Sequence, residues 1–186
     1  MPKHVPYTAT MAAIVLIAAT GCGDDSSGPT NDTLPITWNF DGGLEGWTGG
    51  SATAAGQGGA VSTSNGTVTL QGWGAPGQPD AWISRSVALP DLAYSIRVLA
   101  ISDCAAAEDE NDTSMRILLV DGGDTAVLGE WQTVSEQGYD LRSADLYEFA
   151  GQTVTLRIEM DDEGEQEDDL ANGELLCIDQ IQIIAD

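Results

Sequence analysis

An all-β, antiparallel β-sandwich is what this sequence predicts, on three observations. Residues 35–186 fall into short runs that alternate apolar and polar side chains, separated by Gly, Pro, Asp and Asn. The clearest run, "TVTLRIEM" at 153–160, sets Val154, Leu156, Ile158 and Met160 on one face and Thr153, Thr155, Arg157 and Glu159 on the other. That is the pattern of a half-buried antiparallel strand. No window of 11 residues or more carries a helical stripe.

Taken in order, the chain opens with Lys3 and His4 and then "TATMAAIVLIAATGC". This apolar run is too short to span a bilayer and ends in small residues, the anatomy of a secretory signal over 1–21. The segment "AATGC" resembles the lipobox of bacterial lipoproteins, with Ala19, Thr20 and Gly21 before Cys22. The resemblance implies cleavage before Cys22 and its acylation, hence a lipid-anchored, extracytoplasmic protein of the cell envelope, at the outer membrane or cell surface. A plain signal peptide with a chance cysteine is the alternative. After Cys22 comes "GDDSSGPTNDTLP" (23–35), without apolar periodicity, which marks 22–34 as a flexible tether. The body, 35–186, is one domain.

Within the body the predicted strands are 36–40, 66–71, 81–89, 93–102, 115–121, 126–134, 137–142, 153–160 and 175–184. The most helix-like piece, "LRSADLYEFAG", is short and reads as a turn. No internal repeat is present. Three Asn-x-Thr matches, at Asn31, Asn65 and Asn111, read as coincidences. The last strand, "LLCIDQIQII", poses a problem. Counting back by twos from Ile183 gives Ile181, Asp179, Cys177 and Leu175, which puts a carboxylate on the apolar face. An ionised carboxylate is not buried without compensation. It calls for a cation, for backbone amides, or for an arginine such as Arg97 or Arg157.

Beyond residue 21 the chain has five arginines against 30 acidic residues, a net charge of −25. Such a surface repels nucleic acid and anionic lipid, so contact with a membrane is through the lipid anchor only. The acids concentrate in "EDENDTS" (108–114) and "DDEGEQEDD" (161–169). Blocks of this kind are soluble loops, or, on a sharper reading, the ligands of a second calcium ion. Apart from Cys22, two cysteines remain, each flanking one acidic loop. In an oxidising compartment Cys104 and Cys177 form a disulfide joining two loop bases; two free buried thiols are the alternative.

Three separated stretches carry a family resemblance: "WNFDGGLEGWT" (38–48), "EWQTVSEQGYDLRSADLYEFAGQTVTLRIEM" (130–160) and "LLCIDQIQI". In this order they resemble the galactose-binding-like jelly rolls, including the carbohydrate-binding modules appended to cellulases and xylanases. The resemblance implies a jelly-roll sandwich and a structural calcium ion. Its ligands would be the acidic residue after the first aromatic strand and the Asp of the last strand, here Asp41 and Asp179.

The only histidine, His4, and the only lysine, Lys3, lie in the signal. The body therefore lacks an imidazole base, a His-ligated zinc site and a Schiff-base lysine. Carboxylate catalysis of glycoside hydrolysis would need one defined pair, and 30 acids single none out. The reading is a non-catalytic binding protein. For a sugar, the chemistry is a flat aromatic ring beside Asn, Gln, Asp or Arg. Trp38, Phe40, Trp47 and Trp131 are assigned to the core. Trp73, in "QGWGAPGQPD", Trp82, opposite in parity to Ile83 and Val87, and Tyr139 are the ligand-binding candidates. Arg85 shares the parity of the apolar residues. A structural or adhesion role with a protein partner is the second reading, favoured by a flat apolar patch where a sugar site would show a cleft.

Overall fold

Two antiparallel sheets pack face to face in the computed structural model, which describes residues 34–53, 58–74, 77–102, 104, 113–121, 124–135, 138–162 and 174–185. The expected signal over 1–21, Cys22, most of the expected tether and most of both acidic loops lie outside the described residues. The strands are β1 (Ile36–Trp38), β2 (Thr48–Ser51), β3 (Gly58–Ser64), β4 (Thr67–Trp73), β5 (Ala81–Ala88) and β6 (Ser95–Ser102). They continue with β7 (Ser114–Asp121), β8 (Asp124–Thr133), β9 (Asp140–Asp145), β10 (Thr153–Asp161) and β11 (Glu174–Ile184). One sheet runs β3-β4-β11-β6-β9, with β1 also pairing β11; the other runs β2-β5-β10-β7-β8. The segment "YEF" at 147–149 is a single 3-10 turn, and among the described residues no helix is long and apolar enough to cross a membrane.

Two of these strands, β2 and β3, lie where the sequence reads as loop. Their residues, "TGGS" and "GGAVSTS", are poor strand formers, and neighbouring strands recruit them. Their glycines are needed for close approach. A Cβ on Gly50 would sit 2.4 Å from the Trp82 indole, and one on Gly49 2.8 Å from Val61. The β3–β4 hairpin closes on Asn65 and Gly66, at φ 51° and 78°. Asn-Gly is a strong short-range hairpin signal, because both turn positions take positive φ.

The core lies between the sheets. Ile96, Val98 and Ala100 of β6 and Leu176, Ile178, Ile181 and Ile183 of β11 face Ile83, Leu156, Ile158 and Met160. Trp38 and Trp47 meet edge to face, with ring centroids 5.4 Å apart, and Phe40 is buried beside them as expected. Arg85 does follow its apolar parity inward. Its guanidinium lies 5.2 Å over the Trp38 ring, and burial lowers its pKa against the opposing pull of Glu45.

The alternation in β11 is broken, and this corrects the premise about Asp179. Leu176 and Ile178 are fully buried, and so are Ile181 and Ile183, which have the opposite parity. The β6 register slips between Ile178 and Gln180, so the strand carries a β-bulge at Asp179. There β11 changes its other neighbour, from β4 (through Ile178↔Val68) to β1 (from Ile181↔Trp38). Asp179 stands half-buried at that handover, off the core face, and nothing in its burial compels a counter-ion. Asp41 is exposed beside the Gly66 turn. The Cys104–Cys177 disulfide is present, with Cα atoms 6.0 Å apart.

Candidate functional site

Three features could engage a ligand. The first is a groove of about 550 Å³ on the outer face of the six-stranded sheet, where β6 meets its edge strand β9. It is lined by Tyr94, Ser95, Arg97, Ser143, Asp145 and Tyr147. The two tyrosines stack at 5.8 Å with their planes 10° apart, and Tyr147 remains 65% exposed. Their backbones are held from both sides. Tyr94 N–H donates to the Ile184 carbonyl and its own carbonyl accepts from Leu146 N–H, while Asp145 Oδ1 accepts from Tyr147 N–H at 2.7 Å. From the groove a polar row crosses the sheet through the register Ser143, Arg97, Gln182 and Thr37. A parallel amide pair follows, Gln180 Nε2 donating to Asn39 Oδ1 at 3.0 Å.

The second feature crosses the outer face of the five-stranded sheet. Glu159 on β10 is opposite Trp82 on β5 and Arg116 on β7. Its side chain is only 3% exposed, with Oε2 2.6 Å from Arg116 Nε and Oε1 2.7 Å from Arg157 Nη2. Each guanidinium then covers an indole, Arg157 over Trp82 at 4.0 Å and Arg116 over Trp131 at 4.3 Å. Trp131 is therefore on the outer face; its assignment to the core is corrected, because β8 is an edge strand whose side chains on that face turn to Arg116. The row clamps itself: Trp82 has Arg157 over its ring and Gly50 beneath.

The third feature is a carboxylate centre at the start of β5 and the end of β10. Asp80, Asp161 and Asp162 each offer an oxygen, all within 4.8 Å of one another. Asp80 is fully buried; its Oδ2 accepts from Asp162 N–H at 3.1 Å, and its Oδ1 has no partner. Burial, with the charges of Asp162 and Asp161 behind it, pushes the Asp80 pKa up to about 7 from 3.8, although the Asp162 amide pulls it down. A raised folded-state pKa means the native chain holds a proton that the unfolded chain releases. In metal-free buffer this stabilisation is complete below about pH 4 and is lost as pH climbs through about 7. Asp80→Asn should therefore shrink the difference in urea midpoint between about pH 5 and about pH 8.

These features contain few of the residues picked out in the sequence. Trp73 is half-buried and lies against Gly58, where a Cβ would be 2.3 Å from the indole. It belongs to the six-stranded sheet and Trp82 to the five-stranded one, so the two form no common platform. Tyr139 is exposed just before β9, at the far end of that strand from Tyr147, with exposed Leu141 two residues on. Asp41 and Asp179 belong to no group of three metal-ligating side chains among the described residues. Tyr94, Tyr147 and Asp80 were not singled out. The only local sign of the tyrosine groove was the turn-like "ADLYEF", and Asp80 has nothing in its sequence surroundings to separate it from the other acids.

No protein family model matches the chain, and no curated protein is similar to it. Among solved structures, the chain is similar to a variant of CBM29-2, a family 29 carbohydrate-binding module, at 15% identity over 75% of this chain and 91% of that one, with a TM-score of 0.43. It is similar to the CBM22-1 xylan-binding domain of Paenibacillus barcinonensis Xyn10C, at 18% identity over 81% and 94%, with a TM-score of 0.45. A third is the K2 cleaved adhesin domain of Lys-gingipain, at 16% identity over 80% and 98%, with a TM-score of 0.48. The ligands in those names belong to those proteins.

Proposed function

We propose that this chain is a non-catalytic carbohydrate-binding module, displayed at the cell envelope through an acylated Cys22, and that sugar binds in the Tyr94–Tyr147 groove. The observation that carries this reading is the stacked tyrosine pair with one ring 65% exposed inside a 550 Å³ groove. A sugar presents apolar C–H faces and a rim of hydroxyls. The outward face of Tyr147 accepts the first, and Arg97, Asp145 and Ser143 are placed for the second. The backbone ties on both tyrosines pre-organise the ring pair, so little ordering entropy opposes binding. A protein partner is served better by a flat apolar patch, and here the aromatic rings line a cleft.

The Trp82–Trp131 row supports a second placement of the same ligand class, since it uses two of the body's five arginines. Stacking there would first have to displace Arg157 from Trp82, which favours the groove. A glycan array probed with the protein is expected to give defined positives whose chains stay uncleaved after long incubation. Tyr147→Ala should abolish them while Trp82→Ala retains them. An array without positives refutes the sugar reading, and the reverse pattern of variants moves the site to the five-stranded sheet.

A further inference from the structure

We propose that Asp80, Asp161 and Asp162 bind a divalent cation, calcium by the chemistry of the donors, and that the ion fastens the β4–β5 connection to the end of β10. Three carboxylates with oxygens within 4.8 Å of one another repel strongly when all are ionised. The fold nevertheless holds them together. Asp80 N–H donates to the Met160 carbonyl, and its own carbonyl accepts from Ala52 N–H. Gly74 N–H donates to Asp162 Oδ2 at 3.0 Å, and Gly77 N–H donates to Asp161 Oδ2. Gly72 and Gly59 are needed beneath them: a Cβ on Gly72 would lie 2.5 Å from the Asp80 side chain, and one on Gly59 2.5 Å from the Asp80 carbonyl.

The independent sign of a ligand is Asp80 Oδ1. It belongs to a side chain with 0% exposure and takes no hydrogen bond. A buried carboxylate oxygen without a donor is costly, and a cation satisfies it where a single shared proton would still leave acceptors unpaired. Among the described residues the arginines are engaged elsewhere. Arg116 and Arg157 hold Glu159, Arg142 holds Asp140, Arg85 lies over Trp38, and Arg97 lines the tyrosine groove. The donors are all oxygen, which selects a hard ion, and a carboxylate-rich site joined by backbone atoms suits calcium better than the stricter octahedron of magnesium. This centre shares no residue with the Asp41 and Asp179 pair or with either aromatic surface.

Calorimetric titration of calcium into the metal-free protein tests the inference. Saturable uptake of one ion is expected, with weaker uptake of magnesium, and the melting temperature should rise with calcium and fall again with chelator. Asp80→Asn and Asp162→Asn each keep the side-chain shape and should weaken binding at least tenfold. Asp179→Asn should bind like the parent. Asp80→Asn should also lose the calcium-dependent rise in melting temperature while remaining folded in chelator, because it removes a buried like charge. Absence of saturable binding in the parent overturns the proposal, as does unchanged affinity in either Asp80→Asn or Asp162→Asn. Loss of binding in Asp179→Asn alone would overturn it too, placing the ion at the β11 bulge.

Discussion

Glu159→Ala is expected to lower stability by about 3 kcal/mol, an effect large enough to unfold many domains of this size at moderate urea. Among the described residues Glu159 is the anion that bridges Arg116 and Arg157, at 2.6 and 2.7 Å, on a side chain that is 3% exposed. Removing it leaves two guanidinium groups facing each other, each already over an indole. The pKa of Arg157 is lowered by burial, supported by Glu159 and depressed further by Arg116. With Glu159 gone only the two unfavourable causes remain. Both arginines keep partial contact with water, which places the expected cost at the lower end for a broken buried ion pair. Urea unfolding of Glu159→Ala checks this, with the triple replacement of Arg116, Glu159 and Arg157 by leucine as comparison. The triple variant should recover much of the loss, since a neutral row has no charge to desolvate. A single variant within 0.5 kcal/mol or so of the parent would show the row to be an ordinary exposed salt bridge.

Breaking the Cys104–Cys177 disulfide should cost more, about 4 kcal/mol, because it closes a loop of 73 residues in the unfolded chain. The bridge joins the start of the β6–β7 connection to β11, the strand at the centre of the six-stranded sheet. In Cys104→Ser, the Cys177 thiol would remain against Thr69 Oγ1, now 3.4 Å from its sulfur, so the folded state loses little packing. The loss is therefore expected in the denatured ensemble, and should appear as a lower urea midpoint in reductant that Cys104→Ser reproduces without reductant. A midpoint indifferent to both would mean that the unfolded chain keeps the two segments together without the bond.

Residues whose environment is set by strand parity were legible in the sequence. Alternation alone gives the two faces of β10, the inward parity of Arg85 and the opposite face for Trp82. The pairing of Cys104 with Cys177 followed from counting cysteines. What failed depends on neighbours distant in the chain. β2 and β3 are glycine- and serine-rich and become strands because Trp82, Trp73 and Val61 need flat backbone to lie on. Trp131 resembles a core residue until Arg116 and Glu159 are placed beside it.

The bulge in β11 misled for a simpler reason. Counting by twos assumes an unbroken strand, and one extra residue reverses every parity beyond it. The sequence held a sign of this, since Leu176 and Ile178 are apolar on one parity and Ile181 and Ile183 on the other. The carboxylate centre was half legible: Asp161 and Asp162 open the second acidic loop, whereas Asp80 joins them only across 81 residues of chain. The tyrosine groove is similar, because Tyr94 and Tyr147 belong to separate connections that β6 and β9 bring together.

The measurement that bears most directly on the central claim is a calorimetric titration of an array-positive oligosaccharide into the parent, Tyr147→Ala and Arg97→Ala. The account predicts one binding site and a loss of at least about tenfold in affinity for Tyr147→Ala, the cost of truncating a central aromatic anchor. Arg97→Ala should also weaken binding, while melting temperatures stay within a few degrees of the parent because both side chains lie on the outer face. Affinities within twofold of the parent in both variants would contradict the claim that this groove is where the protein meets its ligand.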